Sequence, residues 1–381
     1  MKRQFFTVTV LKYLLLVNQA GVEAQYDDEG LLEEYLSATQ NSTISWEDDD
    51  SSTPCSLNVP EFSGLGLMIV YFIVFVFSLF GNSVVIYVVY YMRKGRVSTD
   101  IYLMHLALSD LLCCLTLPFW AVDKHFGWMF GNLPCKLLSG FQEASVYSGV
   151  FLLACISVDR YFAIVRATRV LPSHHLLVKV VCGVVWLVAG ALALPVAIKR
   201  ESTYDDLLEQ FVCYENLTNE SSEQWRVSIR LLRHTVGFFL PLVVMAVCYS
   251  WTVVTLFHTR SQQKHKAMRV ILAVVLAFIV CWLPYNVTVL IDTLIRGDTI
   301  ESPPCETIYR VEVVLNVTQV LAFMHCAVNP VLYAFIGVKF RNQLLLALYK
   351  HGFISKRLQM AYKKSSVSSI RSRNTSVNGE F

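Results

Sequence analysis

Seven apolar stretches, separated by polar and charge-bearing segments, set the pattern of this chain. They lie at roughly 66–91, 101–122, 135–164, 176–198, 231–257, 268–295 and 311–336. Each reaches the ~17–25 residues that a helix needs to cross the hydrocarbon layer of a membrane. Strict apolar–polar alternation is absent, so the pattern predicts seven spanning helices and not a membrane barrel. The third stretch is uncharged from Ala144 to Val158 and runs from Cys135 to the pair Asp159-Arg160. As a helix, the step from Cys135 to Arg160 covers about 37 Å in nearly seven turns. The two residues therefore share one helix face, at opposite membrane surfaces. After the seventh stretch, Val338 to Lys350 places Phe340, Leu344, Leu345 and Leu348 on one side and predicts a short amphipathic helix at the membrane surface.

Composition agrees with an all-α membrane protein. The chain is 55% hydrophobic and 16% charged, with a mean hydropathy of +0.48, and a soluble protein of 381 residues would need more polar surface. Its halves do not repeat, which argues against a transporter built from duplicated bundles. A channel would carry a multiply charged path, whereas only Asp110 lies at mid-membrane depth. Neither paired aspartates nor a serine–histidine constellation stands where intramembrane hydrolysis would need it, so no enzyme is expected. The chain divides into an N-terminal segment 1–65, a bundle 66–337, the amphipathic helix 338–350 and a tail 351–381.

Basic residues in the short loops fix the expected orientation. Arg93, Lys94 and Arg96, then Arg166, Arg169 and Lys179, then Arg260, Lys264, Lys266 and Arg269 mark the cytosolic side. The N-terminus is expected outside and the C-terminus in the cytosol. Residues 1–24 carry the marks of a signal peptide, although Lys12 interrupts the apolar part; cleavage and retention both remain open.

The net charge of +3 conceals an asymmetry. Between Tyr13 and Met92 there is no Lys or Arg but there are eleven acids, among them Asp27, Asp28, Glu29, Glu47, Asp48, Asp49 and Asp50. Such a segment is expected to be disordered. It serves solubility or, more sharply, steers a basic partner toward the membrane. Tyr26 and Tyr35 sit beside acids, as sulfation sites do. Asn41, Asn216 and Asn219 head glycosylation sequons in outer segments. Asn286, Asn316 and Asn374 fit the pattern too but fall in spans or the cytosol.

Of eleven cysteines, Cys55, Cys135, Cys213 and Cys305 lie outside and permit three pairings. The seven in the spans read as small packing residues and not as metal ligands. No metal or cofactor is expected. Asp110, Asn82 and Asn329 are polar within lipid depth, where polar groups are costly and usually functional. Pro118, Pro195, Pro241, Pro284 and Pro330 each remove a helix hydrogen bond, and with Trp282 and Tyr333 beside two of them they suggest a bundle built to move.

Asn82, Leu106-Ala-Leu-Ser-Asp110, Cys135, Asp159-Arg-Tyr161, Trp186, Pro241, Tyr249, Cys281-Trp-Leu-Pro284 and Asn329-Pro-Val-Leu-Tyr333 fall in order on the predicted spans. Together they resemble the rhodopsin-like G-protein-coupled receptors. Thr116-Leu-Pro118 with Trp120, Asp159-Arg-Tyr-Phe-Ala-Ile-Val165, His325-Cys326 and the outer pair Cys55/Cys305 are similar to chemokine receptors. Ala154 to Tyr161, Gln263 to Val270, Cys281 to Asn286 and Tyr333 to Gly337 look more narrowly like the interleukin-8 receptors, CXC types 1 and 2. The resemblance covers about 55–355.

It implies disulfides Cys55–Cys305 and Cys135–Cys213. It implies a G protein of the inhibitory class received at Arg160, with Asp159 holding that arginine inactive and Tyr249 and Tyr333 stabilising the open form. Tyr161 completes the coupling triplet. Asp110, Trp282, Pro284, Asn329 and Pro330 would form the activation switch. The expected ligand is a CXC chemokine of the Glu-Leu-Arg type, and the expected output is calcium signalling in the chemotaxis of leukocytes such as neutrophils. The alternative is a non-signalling chemokine scavenger. Candidate ligand contacts are Tyr26, Asp27, Asp28, Tyr35, Trp120, Asp123, Arg226, Arg230, Asp292, Arg296 and Glu312. Arg296 and Asp292, four apart on one helix, could also pair locally. Membrane lipid is the surrounding solvent, and nucleic acid is not expected as a partner. Ser365, Ser366, Ser368, Ser369, Ser372, Thr375 and Ser376 offer phosphorylation sites for a receptor kinase and then an acidic patch for arrestin.

Three positions depart from the pattern. Gly149 stands where many relatives carry a serine that completes a sodium pocket around Asp110, so sodium is not expected there. Gln319 replaces a glutamate common in chemokine receptors. No cysteine follows Cys326, so a palmitoyl anchor after the last helix is not available.

Overall fold

In a computed structural model, residues 64–92, 98–166, 174–206, 208–215, 222–257, 262–296, 305–357 and 360 are described. Seven helices long and apolar enough to cross a membrane account for most of them. We label these α1 (Gly64–Tyr87), α2 (Ser98–Phe126), α3 (Asn132–Ile164), α4 (His174–Lys199), α5 (Ser222–His234 and Leu240–Phe257), α6 (Gln262–Arg296) and α7 (Cys305–Ile336). A short α8 (Val338–Lys350) follows with the bounds that the sequence predicts. α1 runs on as a π-helical turn over Val88–Met92, and a second π turn, Thr235–Phe239, joins the halves of α5.

Several helices extend beyond their apolar runs. α3 takes in Asn132 to Pro134, and α7 begins at Cys305 although its apolar run starts near Val311. Intrahelical hydrogen bonds satisfy the backbone at the membrane boundary as well as inside it, so polar residues there do not end the helix. Pro118, Pro195, Pro284 and Pro330 all lie inside helices. Pro241 comes just after the π turn of α5. That turn is built around Gly237, where a Cβ would stand 2.4 Å from the Tyr147 ring, so only glycine lets α5 approach α3 so closely.

The outward faces are apolar, with Phe80, Leu187 and Phe335 each more than 70% exposed. With lipid outside, burial alone cannot separate inside from outside, and close packing and polar contacts between helices must do so. The larger internal cluster includes Leu106, Leu152, Ile156, Met245, Tyr249, Phe278, Trp282 and Tyr333. A second cluster joins α1, α2 and α7 through Tyr71, Val74, Cys113, Leu117, Phe323 and Cys326. α3 is the central element, packed against α2, α4, α5 and the strand that follows α4.

The sequence pattern did not announce a hairpin. β1 (Arg200–Asp205) continues from α4 and pairs antiparallel with β2 (Gln210–Glu215), Ser202 opposite Cys213. A disulfide from Cys213 to Cys135, with a Cα separation of 5.7 Å, holds this hairpin to the first turn of α3. Trp128 N–H donates to the Phe211 carbonyl at 2.7 Å, so the α2–α3 connection holds it as well.

Candidate functional site

At the hairpin end, charged side chains from four elements meet. Arg233 Nη2 of α5 lies 2.9 Å from Glu143 Oε1 of α3 and 3.9 Å from Glu215 Oε1 of β2. Arg200 stands 3.8 Å from the same Glu215 oxygen and donates to the Cys213 carbonyl at 2.9 Å. On the α5–α6 side, Arg230 Nη1 donates to Asp292 Oδ2 at 2.9 Å and to Thr293 Oγ1 at 3.2 Å. Across the bundle, Lys124 of α2 donates to Asn316 Oδ1 of α7 at 2.8 Å, and Asn316 donates to the Glu312 carbonyl.

A cavity opens among these groups, lined by Glu143, Arg200, Arg233, Trp282, Tyr285 and Gln319. An adjoining one is lined by Trp120, Asp123 and Lys124. Among the described residues, Nε of Arg200, Nε of Arg233 and Nε1 of Trp120 are buried without a hydrogen-bond partner. Unpaired buried donors are costly. A ligand bringing acceptors to this cavity would relieve that cost.

Below the cavity, Trp282 carries the contact into the bundle. Its Nε1 lies 3.1 Å from His325 Nδ1, and the two rings meet at a centroid distance of 5.3 Å. His325 Nε2 is 3.3 Å from Asp110 Oδ1, and Asn329 Nδ2 donates to Asp110 Oδ2 at 2.8 Å. Asn82 bridges α1 to α7 by donating to the Cys326 carbonyl at 2.8 Å. That approach depends on Gly81, whose place for a Cβ is 2.9 Å from the Pro330 ring.

At the opposite end of α3, Arg160 Nε donates to Asp159 Oδ2 at 3.1 Å, and its Nη2 approaches the same oxygen. Tyr249 and Tyr333 are 6% and 3% exposed, and among the described residues their hydroxyls have no partner within hydrogen-bond geometry. Tyr161 packs edge-on against Phe162. Tyr333 also packs on Phe340, which seats α8 against α7.

These arrangements bring together Asp110, Trp282 and Asn329, then Asp159 and Arg160, and then Arg230 and Asp292. Asp292 is paired with Arg230 across helices, while the side chain of Arg296 lies outside the described residues, as does that of Arg226. Cys305 is disulfide-bonded, and Cys55 lies outside the described residues. So do Tyr26, Asp27, Asp28, Tyr35, the sequons at Asn41, Asn216 and Asn219, and Ser365 to Ser376. Asn286 is 5% exposed and bonded to His234, as a residue inside a span should be. Sequence reasoning missed Glu143, Arg200 and Glu215. The available signal was Glu143 as the last charge before the long uncharged run of α3.

Residues 81–333 match the family described as 7 transmembrane receptor (rhodopsin family). The chain is 46% identical to C-X-C chemokine receptor type 1 of Homo sapiens over 84% of its own length and 91% of that protein. It is 47% identical to C-X-C chemokine receptor type 2 of Homo sapiens over 80% of this chain and 84% of the relative. To C-X-C chemokine receptor type 1 of Oryctolagus cuniculus it is 44% identical, over 83% and 88%. The chain belongs to the rhodopsin family of seven-transmembrane receptors and, within it, to the CXC chemokine receptors. In this receptor contacts run from the charged cavity through Trp282 and His325 to Asp110 and Asn329, and Arg160 stands at the far end of α3.

Proposed function

We propose that the receptor binds CXC chemokines of the Glu-Leu-Arg type and passes that binding to a G protein of the inhibitory class. The observation that carries this reading is the mixed charge of the cavity. Arg200 and Arg233 line it together with Glu143, and the Arg230–Asp292 pair stands on the α5–α6 side, so a ligand motif with both an acid and an arginine finds a partner for each charge. Relatives named for CXC chemokines support the ligand class.

The receptor lies in the plasma membrane with its N-terminus outside and its C-terminus in the cytosol. The acidic segment 26–50 captures the basic chemokine first, with Tyr26 and Tyr35 strengthening it if sulfated, and the ligand's end then enters the cavity. Displacing Arg233 or Arg230 from its acid shifts α5 and α6 and moves Trp282 on His325. The open form is selected because the ligand binds it better. Arg160 then leaves Asp159 and receives the G protein, while the buried hydroxyls of Tyr249 and Tyr333 gain partners. A receptor kinase modifies the tail, and arrestin follows. The intact Asp159-Arg160-Tyr161 triplet gives no support to a non-signalling scavenger.

Cells expressing the chain test this directly when they are challenged with a chemokine panel. Glu-Leu-Arg chemokines should release calcium and suppress cyclic AMP, and inactivating the inhibitory G protein should remove both responses. Silence toward every CXC chemokine, from receptor verified at the surface, would overturn the reading.

A further inference from the structure

Asp110 does not stand alone in the bundle. Asp110 of α2 with His325 and Cys326 of α7 brings a carboxylate oxygen, an imidazole nitrogen and a thiol within 4.8 Å of one another. Cys113 lies three residues along α2 from Asp110, hence on the same face, and packs in one buried cluster with Cys326. None of the four is more than 7% exposed. We propose that Asp110, Cys113, His325 and Cys326 form a buried tetrahedral site for a thiolate-binding divalent ion, with Zn2+ as the fitting case.

The separations suit that ion. Zinc takes nitrogen and oxygen donors at about 2.0 Å and sulfur at about 2.3 Å, so tetrahedral edges are about 3.3 Å between N and O and about 3.5 Å between N and S. His325 Nε2 is 3.3 Å from Asp110 Oδ1, and Cys326 Sγ is 3.4 Å from His325 Nε2. Cys113 stands outside that set of three and would complete it by turning its thiol toward the shared centre.

The surrounding bonds orient the donors. His325 Nδ1 lies 2.6 Å from the Ala322 carbonyl and 3.1 Å from Trp282 Nε1. The Ala322 carbonyl can only accept and the Trp282 N–H can only donate, so the two contacts call for opposite tautomers, and zinc at Nε2 would select the one in which Nδ1 donates to the carbonyl. A metal-binding histidine ordinarily gives its second N–H to a carbonyl or carboxylate in this way. Asn329 occupies Asp110 Oδ2 at 2.8 Å and leaves Oδ1 toward His325. Two thiols and an imidazole favour a soft or borderline ion over an alkali cation. Binding one Zn2+ transfers both thiol protons to solvent and replaces them with two metal–sulfur bonds. The ion would tie α2 to α7 directly beneath Trp282. This proposal stands on the bundle geometry and is independent of the ligand class proposed above.

The test uses purified full-length receptor stripped with a chelator and titrated with Cd2+. An ultraviolet thiolate-to-cadmium band should saturate at one ion per receptor and be displaced by Zn2+. Cys113→Ser and Cys326→Ser should each halve the band and weaken Zn2+ by more than roughly a hundredfold, since even orienting partners are worth about 10–100-fold. Cys248→Ser, on another helix, should change nothing. The wild-type band needs no variant to fold, so its absence alone overturns the site. A band that survives both replacements overturns it too, as does stabilisation by Na+ with none by Zn2+.

Discussion

The Arg233 guanidinium of α5 meets the Glu143 carboxylate of α3 at 2.9 Å, two residues before the π segment that lets α5 close on Tyr147. Both side chains are about one-fifth exposed, at 20% and 18%. The pair thus joins the ligand cavity to the central helix and keeps a charge of each sign largely away from water.

That arrangement predicts strong coupling between the two residues. Removing one member of a buried pair leaves the other uncompensated, at a cost of about 3 kcal/mol for a site that keeps some solvent contact. Glu143→Gln and Arg233→Met should therefore each lower the melting temperature of purified receptor more than the double replacement does. Additive losses would show that the two charges act separately.

Recognition in two stages predicts two separable defects. Neutralising the acids between Asp27 and Asp50 should slow chemokine association and flatten its salt dependence, because exposed charges are screened beyond about 8 Å at physiological ionic strength. Reversing Arg230 or Asp292 should instead reduce signalling potency more than capture, since their 2.9 Å contact lies between α5 and α6. Kinetic binding across a salt series, read beside calcium release, checks both. Unchanged association after neutralisation would remove the first stage, and unchanged potency after reversal would remove the second.

The spans were legible because an apolar run of sufficient length has few other uses, and α8 was legible from the spacing of Phe340, Leu344, Leu345 and Leu348. The third-span argument also holds: Cys135 and Arg160 lie on one unbroken helix. Glu143 could not be read this way, because its role depends on Arg233 in a helix brought beside it by the fold. The hairpin escaped notice because Arg200-Glu-Ser-Thr-Tyr-Asp205 lacks a clean apolar alternation. The π turn at Gly237 answers to the Tyr147 ring, a contact with no local signature. His325 and Cys326 were visible only as a motif, and their distances to Asp110 come from helix packing.

The C-terminal serines give a third prediction. Truncation after Lys364 removes Ser365 to Ser376 and should leave the first calcium response intact while reducing arrestin recruitment. Recruitment at the full-length level would mean that the phosphate patch lies elsewhere in the receptor.

The most direct measurement is agonist-stimulated nucleotide exchange on the inhibitory G protein by Arg160→Ala receptor, with chemokine binding measured on the same membranes. Arg160 sits at the far end of α3 from the cavity and contacts Asp159 there. Exchange should fall to the unstimulated rate while surface binding stays close to that of the unaltered receptor. Undiminished exchange in Arg160→Ala would contradict coupling through this residue.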